Sequence, residues 1–228
     1  VSCSVNWSAH GEQKSGISWT NIVENAAEKL GYTNVELLRC RANDLQILEY
    51  MRIMDGDNLQ PILNWLRSEL SAPDDAIETN QILRQIAGMI YLDRIYTTNY
   101  DDFLERAHLL KGRQFTSIRS ERDMDFAVDG PSIVKFHGDF ESPNSIVLTE
   151  QDYLRRLSFA DPVDALLKAD LIGRAVLFVG YSFRDSNVSY LFDIINRESG
   201  KCPFTHSGWR AYICLHHPTD FEYQLFAR

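Results

Sequence analysis

The sequence predicts an α/β fold in which a parallel sheet carries helices on both faces and an all-helical insert. Three short segments, 94–98, 132–136 and 175–179, are apolar or β-branched almost throughout, as strands buried on both faces are. Each segment ends in a polar tip, and helical patterns follow the first and the third tip. Buried strands that alternate with helices are typical of parallel sheets.

The elements before the first strand are helical. Residues 2–18 mix small and polar side chains without periodicity, which predicts a long polar loop. From Trp19 apolar residues recur at helical spacing until Gly31, so a first helix is expected there. Three further helical patterns cover 45–51, 59–70 and 82–89, and with no strand signal among them they predict a helical insert over about 35–90.

The strand signals begin after the insert. Residues 94–98 lead into Asn99-Tyr100-Asp101, where Asp101 or Asp102 can cap a helix over 103–110. Residues 132–136 lead into His137-Gly138-Asp139, and residues 175–179 lead into Gly180-Tyr181-Ser182 before a helix around 188–195; a fourth strand is expected at 211–215. Ligands of such Rossmann-like sheets bind beyond the carboxyl ends of the strands, so all three tips should lie at one edge.

Composition excludes several classes of protein. The 228 residues are 44% hydrophobic and 24% charged, which is enough for one large domain and is unlike a disordered chain. A formal charge of -9 has the wrong sign for binding nucleic acid or an anionic membrane surface. The longest apolar stretch, 175–183, is nine residues, whereas a membrane helix needs about 20. Four irregularly spaced cysteines predict a reducing, cytoplasmic setting without disulfides.

Taken singly, each tip has an ordinary structural explanation. Asn99 and Asp101 fit a capped turn, His137 fits a buried imidazole, and Gly180 with Ser182 fits a tight strand exit. Their order on three parallel strands is more specific. A serine-hydrolase elbow at Ser182 is a poor interpretation, because Arg184 stands where the second glycine belongs.

The motifs resemble those of a known family, the sirtuin-like NAD-cleaving domains of bacterial anti-phage defence proteins such as the effectors of Thoeris systems. The matching segments are Thr97-Thr98-Asn99-Tyr100-Asp101-Asp102, Lys135-Phe136-His137-Gly138-Asp139, the run from Phe178 to Asn187, Ile146-Val147-Leu148-Thr149 with Asp152-Tyr153, and Ser18-Trp19. The resemblance covers nearly the whole chain.

The resemblance implies NAD⁺ as the substrate and assigns the site residues. Asn99 and His137 would be the catalytic pair; Ser2, Thr98, Asp101, Gly138, Gly180, Ser182, Asp185 and Asn187 would contact the dinucleotide. Asp101 could equally serve as a helix cap, and Arg184 could meet a phosphate, pair with Asp185 or lie in solvent. Domains of this family begin with a strand and a Gly-Ala-Gly-x-Ser turn for the pyrophosphate. Ser2 would end that turn, so the chain is expected to be an excerpt whose glycine strand precedes Val1.

No metal is expected. The two Cys-x-x-Cys pairs that hold zinc in protein-deacetylating sirtuins have no counterpart among the four cysteines. Cys202, His206, Cys214 and His216 offer four possible ligands, but their spacing fits no closed zinc module well.

The function expected from the resemblance is hydrolysis of NAD⁺ to nicotinamide and ADP-ribose by an effector of anti-phage defence. Two alternatives remain open: an NAD-dependent deacylase or ADP-ribosyltransferase, and a silent NAD or ADP-ribose sensor. The expected partners are further copies of the full-length chain and a phage-derived or signalling-nucleotide activator that acts through another domain; nucleic acid and membranes are not expected.

Overall fold

The computed structural model of the chain describes residues 19–32, 41–126, 131–156, 161–180, 211–214 and 220. The α-helices of these ranges are α1 (Trp19–Lys29), α2 (Asp44–Met54), α3 (Gln60–Glu69), α4 (Asp74–Thr79), α5 (Gln81–Gly88), α6 (Phe103–Leu110), α7 (Glu150–Arg156) and α8 (Pro162–Gly173). The strands are β1 (Arg94–Thr97), β2 (Thr116–Ile118), β3 (Ser132–Lys135), β4 (Val176–Val179) and β5 (Ala211–Cys214).

All strand pairs of the described residues are parallel, as predicted. One ladder has the order β1-β3-β2, with Arg94 opposite Ser132 and Thr97 opposite Lys135. A second ladder joins β4 to β5. Strand β2 was not predicted, because a three-residue Thr-Ser-Ile segment is too short to display a period of two.

The two ladders share the same two apolar layers. On one face Tyr96, Val134 and Phe178 pack with Val163 and other residues of α8. On the opposite face Ile95 and Ile133 pack with α4, α5 and α6, and Val179 of β4 contacts that same cluster. Successive strand residues point to opposite faces, so helices cover both sides of the sheet, in agreement with the predicted fold.

A cavity of about 250 Å³ lies between β1 and β4, which belong to different ladders. Both strands line it along their length, with Arg94, Tyr96 and Thr98 on one side and Val176 and Phe178 on the other. Its floor is formed by residues of α8. The cavity is thus lined by residues of both ladders and of α8, on the face of the sheet where Tyr96 and Phe178 pack with α8.

The helical region before β1 forms two groups. Helices α1, α2 and α3 make a core of their own that also takes in Tyr100, Ile146 and Leu148 from the loops beyond β1 and β3. Helices α4 and α5 instead join α6 on one face of the sheet. The side chain of Asn43 closes a capping box with Gln46 at the start of α2. None of the helices in the described ranges has both the length and the hydropathy that crossing a bilayer requires.

Candidate active site

The register of β1 and β3 brings Asn99 and His137 to one edge of the sheet. Thr97 lies opposite Lys135, and the Phe136 N–H donates to the Thr97 carbonyl at 2.8 Å, so the ladder continues past both strand ends. Asn99 and His137 each follow that last rung, at the carboxyl ends of adjacent parallel strands. This is the edge at which α/β sheets bind their ligands.

His137 is held by its main chain and by two aromatic rings. Its carbonyl accepts the Val147 N–H at 3.0 Å, and only 2% of the residue is exposed. The Tyr153 ring packs edge-on at 5.2 Å between centroids, with its hydroxyl 3.4 Å from Nδ1, and Phe136 lies at 5.5 Å. If Nδ1–H donates to the phenol oxygen, Nε2 becomes the basic nitrogen, because the partner of one ring nitrogen selects the tautomer.

The Asn99-Tyr100-Asp101 turn is anchored at its middle residue. Asn99 N–H donates to the Thr97 hydroxyl at 3.1 Å, and the Tyr100 hydroxyl donates to the Val147 carbonyl at 2.7 Å. The Tyr100 ring also packs on Trp19 at 6.3 Å. Val147 thus bonds to both tips, through its carbonyl to the turn after β1 and through its N–H to His137.

Asp101 serves the start of α6. Its carboxylate accepts the Phe103 N–H at 3.1 Å from the position before the N-cap, whereas Asp102, the N-cap residue, makes no side-chain cap bond. Burial raises its pKa to about 6; the Lys135 ammonium and the Phe103 N–H oppose that rise, while Glu105 and Asp102 add to it. The carboxyl is thus half-protonated near pH 6.

The Asp101→Asn variant should gain in free energy of unfolding relative to wild type as the pH rises to neutral. Because the pKa is higher in the folded protein than in the unfolded chain, the folded state binds more protons between pH 4 and 6, so wild-type stability falls as pH rises through that window. Asp101→Asn keeps the acceptor for Phe103 and should remove this decline, which for one proton is at most about 1.4 kcal/mol per pH unit. Denaturant unfolding at pH 4 to 8 measures it.

The control for this titration is Asp102→Asn, which removes a neighbouring carboxylate whose side chain is 63% exposed. That variant should keep most of the wild-type decline between pH 4 and 6, because Asp102 has the smallest effect of the groups that shift the pKa of Asp101. An Asp101→Asn protein with the same pH slope as wild type would contradict the assignment of the decline to Asp101.

Gly138 is required by the turn that follows His137. Its φ is +75°, and a Cβ built on it would lie 2.4 Å from the Ser145 carbonyl oxygen. Next to it Asp139, 4% exposed, accepts the N–H groups of Glu141 and Ser142 and pairs with Arg119. The His-Gly-Asp tip is thus a rigid turn that fixes the backbone beside the imidazole.

The remaining predicted contacts are only partly described. Thr98, which follows β1, lines the cavity, and Gly180 follows β4 with a φ of +61°. Ser2, Ser182, Asp185 and Asn187 lie outside the described residues, as does Arg184.

Comparison with known proteins identifies the family. A model of the SIR2-like domain matches residues 93–226, which is more than half of the chain. The chain belongs to the SIR2-like family. The resemblance inferred from the motifs is thereby confirmed, and the match includes all three tips.

Three relatives of the SIR2-like chain are curated proteins. It is 30% identical over 186 residues to the NAD(+) hydrolase ThsA of Bacillus cereus (strain MSX-D12), covering 77% of the chain and 36% of that protein. It is 25% identical over 193 residues to the NAD(+) hydrolase ThsA of Acinetobacter baumannii, covering 81% and 39%. It is 29% identical over 106 residues to Defense-associated sirtuin 2 of Bacillus subtilis, covering 45% and 10%. The matched region spans well under half of each relative.

Most of the residues that could bind zinc lie outside the described ranges. Of the four possible ligands only Cys214 is described, as an exposed free thiol on β5, while Cys202, His206 and His216 lie outside. Within the described ranges no three His, Cys, Asp or Glu side chains are grouped to hold a metal.

Folding of this SIR2-like chain should be independent of zinc, because it has no Cys-x-x-Cys pair to close a structural site. Elemental analysis should find less than one equivalent of zinc, and EDTA should leave the circular dichroism spectrum and the melting temperature unchanged. One bound equivalent with loss of structure on chelation would instead implicate Cys202, His206, Cys214 and His216.

Two features of the SIR2-like site were not assigned from the sequence. The first is the contact of the Tyr153 hydroxyl with His137. Tyr153 lies on α7, whose start is capped by Thr149 and Asp152: the Asp152 carboxylate accepts the Thr149 N–H at 3.0 Å and the Thr149 hydroxyl at 2.9 Å. The Thr-x-x-Asp spacing was a readable helix start, but the contact with His137 depends on tertiary packing. Lys135 was quoted within a motif, yet nothing in the sequence showed that its side chain is buried.

Proposed function

We propose that this chain is the catalytic domain of an NAD⁺ glycohydrolase, which cleaves NAD⁺ to nicotinamide and ADP-ribose and depletes the dinucleotide in bacterial anti-phage defence. The observation that carries the proposal is the placement of Asn99 and His137 on adjacent carboxyl strand ends in a SIR2-like chain. Relatives bearing the name NAD(+) hydrolase support it.

The chemistry suits an amide and an imidazole. Nicotinamide leaves NAD⁺ as a neutral molecule from a cationic bond, so no strong general acid is needed, and the ribose passes through an oxocarbenium-like transition state. The Asn99 amide both donates and accepts, so it can hold a ribose hydroxyl or a water without adding a full charge. His137 would take a proton from that hydroxyl or from the attacking water. Tyr153 would hold the imidazole in the tautomer that leaves Nε2 basic.

The helices before β1 provide the means to exclude water. Trp19 of α1 and Phe140 pack on Tyr100, directly beside Asn99, at 6.3 and 5.9 Å between ring centroids. Helices α1, α2 and α3 thus form an apolar cluster at the carboxyl edge. We propose that this cluster covers the nicotinamide end of the substrate, where the exclusion of water strengthens each polar contact.

The decisive experiment is an assay of nicotinamide release by the full-length protein, with and without phage components. Release from NAD⁺ alone supports the hydrolase. Release that requires an acceptor protein would indicate a deacylase or an ADP-ribosyltransferase, and tight NAD binding without turnover would indicate a sensor. We further propose that the protein is cytoplasmic, that it forms a homo-oligomer, and that its activator acts through another domain. Size-exclusion measurements on the same preparation before and after activation test the oligomer.

We also propose that the glycine strand of the family lies in the cavity between β1 and β4. The cavity is bordered by residues of β1 and β4, and both strands contribute side chains to the same two apolar layers. The chain enters α1 beside Tyr100 at the carboxyl edge, which is where a strand parallel to β1 would deliver it.

Restoring native residues upstream of Val1 should tighten NAD binding by about tenfold or more, because backbone amides of a glycine turn carry much of dinucleotide phosphate binding. Isothermal calorimetry on proteins with and without those residues measures the difference. Equal affinities would show that the pyrophosphate is held by other groups, with Arg184 the first candidate.

A further inference from the structure

A fully buried lysine forms a hydrogen bond to the turn that carries Asn99. Lys135 is the last residue of β3, and 1% of its side chain is exposed. A buried ammonium is costly unless it is paired and hydrogen-bonded. Its ammonium donates a hydrogen bond to the main-chain carbonyl of Asp101, Glu105 Oε1 lies 3.5 Å away, and the Asp101 carboxyl also interacts with its charge.

Glu105 completes a small buried network. It lies in the first turn of α6 with 10% of its side chain exposed, and the Ser117 hydroxyl of β2 donates to Oε1 at 3.4 Å. The charge of Lys135 is therefore balanced by a side chain, while its hydrogen bond goes to the turn after β1. These two functions of one ammonium can be separated by mutation.

The positions of the partners along the chain give Lys135 its significance. It ends β3 and precedes His137 by two residues, and Asp101 follows Asn99 by two residues after β1. The hydrogen bond from Nζ to the Asp101 carbonyl therefore ties the strand that carries one predicted catalytic residue to the turn that carries the other. Val147 makes a second tie between the same two tips through its main chain.

We propose that Lys135 is a positioning residue of the reaction: by holding the Asp101 carbonyl it sets the distance between Asn99 and His137. The inference rests on the proposed function for the identity of the reaction. Its physical basis is that catalysis by positioned groups is steep in distance, since a misplacement of about 1 Å can cost about a hundredfold. A lysine that only neutralised Glu105 would contribute to stability and not to turnover.

The test compares three variants of the full-length protein. Lys135→Met removes both functions at nearly constant volume and leaves Glu105 as a buried charge. The double variant Lys135→Met/Glu105→Gln also removes the buried Glu105 charge but still lacks the hydrogen bond to Asp101. Lys168→Met, at an exposed position of α8, is the matched control.

Lys135→Met should lower kcat for nicotinamide release by about 10- to 100-fold while KM for NAD⁺ changes little. The double variant should recover the melting temperature and keep the low kcat, and Lys168→Met should behave as wild type. Recovery of wild-type kcat in the double variant, or wild-type kcat in Lys135→Met, would overturn the proposal. If Lys135→Met does not fold, the double variant decides.

A second readout is independent of turnover. Hydrogen exchange of residues 98–102, followed by mass spectrometry, should become faster in both Lys135 variants and remain unchanged in Lys168→Met, because the turn loses its tie to β3. Unchanged exchange in the double variant would overturn the positioning role even in a protein that releases no nicotinamide. Absence of nicotinamide from the wild type would count against the proposed function alone.

Discussion

Nicotinamide release by the full-length protein should fall by about a hundredfold or more when Asn99 or His137 is replaced by alanine, the usual scale for losing an acid–base or electrostatic group. NAD affinity should change much less. Both side chains would act on the ribose in the transition state, whereas phosphate and adenosine contacts dominate ground-state binding. Steady-state kinetics together with calorimetry separate the two effects.

His108→Ala is the control for loss of a buried imidazole. His108 is fully buried on α6, with Nδ1 2.7 Å from the Leu104 carbonyl, and it is not at the carboxyl edge. This variant should lose stability and keep its turnover per folded molecule. If expression of the full-length protein is toxic through NAD loss, Asn99→Ala and His137→Ala should relieve toxicity at equal protein level. Wild-type turnover in both variants would refute the catalytic assignment.

Gly138→Ala should destabilise the protein by about 3 kcal/mol or more and abolish nicotinamide release. The new Cβ would lie 2.4 Å from the carbonyl oxygen of Ser145, and the residue would have to keep a φ of +75°. The clash involves the main chain of Ser145, which cannot move aside as the end of a flexible side chain could. The turn must therefore shift, and the shift would displace the adjacent His137. Chemical denaturation measures the loss of stability, and the nicotinamide assay measures the loss of activity.

Gly112→Ala separates the steric clash from the backbone strain. Gly112 follows α6 with a φ of +66°, and nothing lies within 4 Å of a Cβ built there. The cost should be that of a left-handed alanine, about 1 to 2 kcal/mol, without loss of turnover. Equal costs at both positions would mean that the turn after His137 relaxes around the added methyl group.

Local signals predicted many of the elements but not β2 or the helices α4, α7 and α8. The pattern from Trp19 to Gly31 predicted α1, which spans Trp19–Lys29, and three insert patterns match α2, α3 and α5. Helix α4 has six residues and β2 has three, so neither displays enough turns or alternations to be read from periodicity. The β-branched segments that precede the polar tips were readable because strands buried on both faces must be apolar.

The sequence by itself determined the fold class, the family and the chemical types at the strand ends, because these depend on periodicity and on residue identity at short spacing. Only the tertiary structure decided which groups meet across long separations: Tyr153 beside His137, Val147 between both tips, and Lys135 beneath the turn at Asp101. A lysine inside a strand reads as a solvent-facing residue, since an unpaired charge would be too costly to bury. Lys135 can be buried because α6 brings the Glu105 carboxylate within 3.5 Å and the turn after the neighbouring strand β1 supplies the Asp101 carbonyl. Both partners are distant in sequence, so the sequence alone does not reveal them.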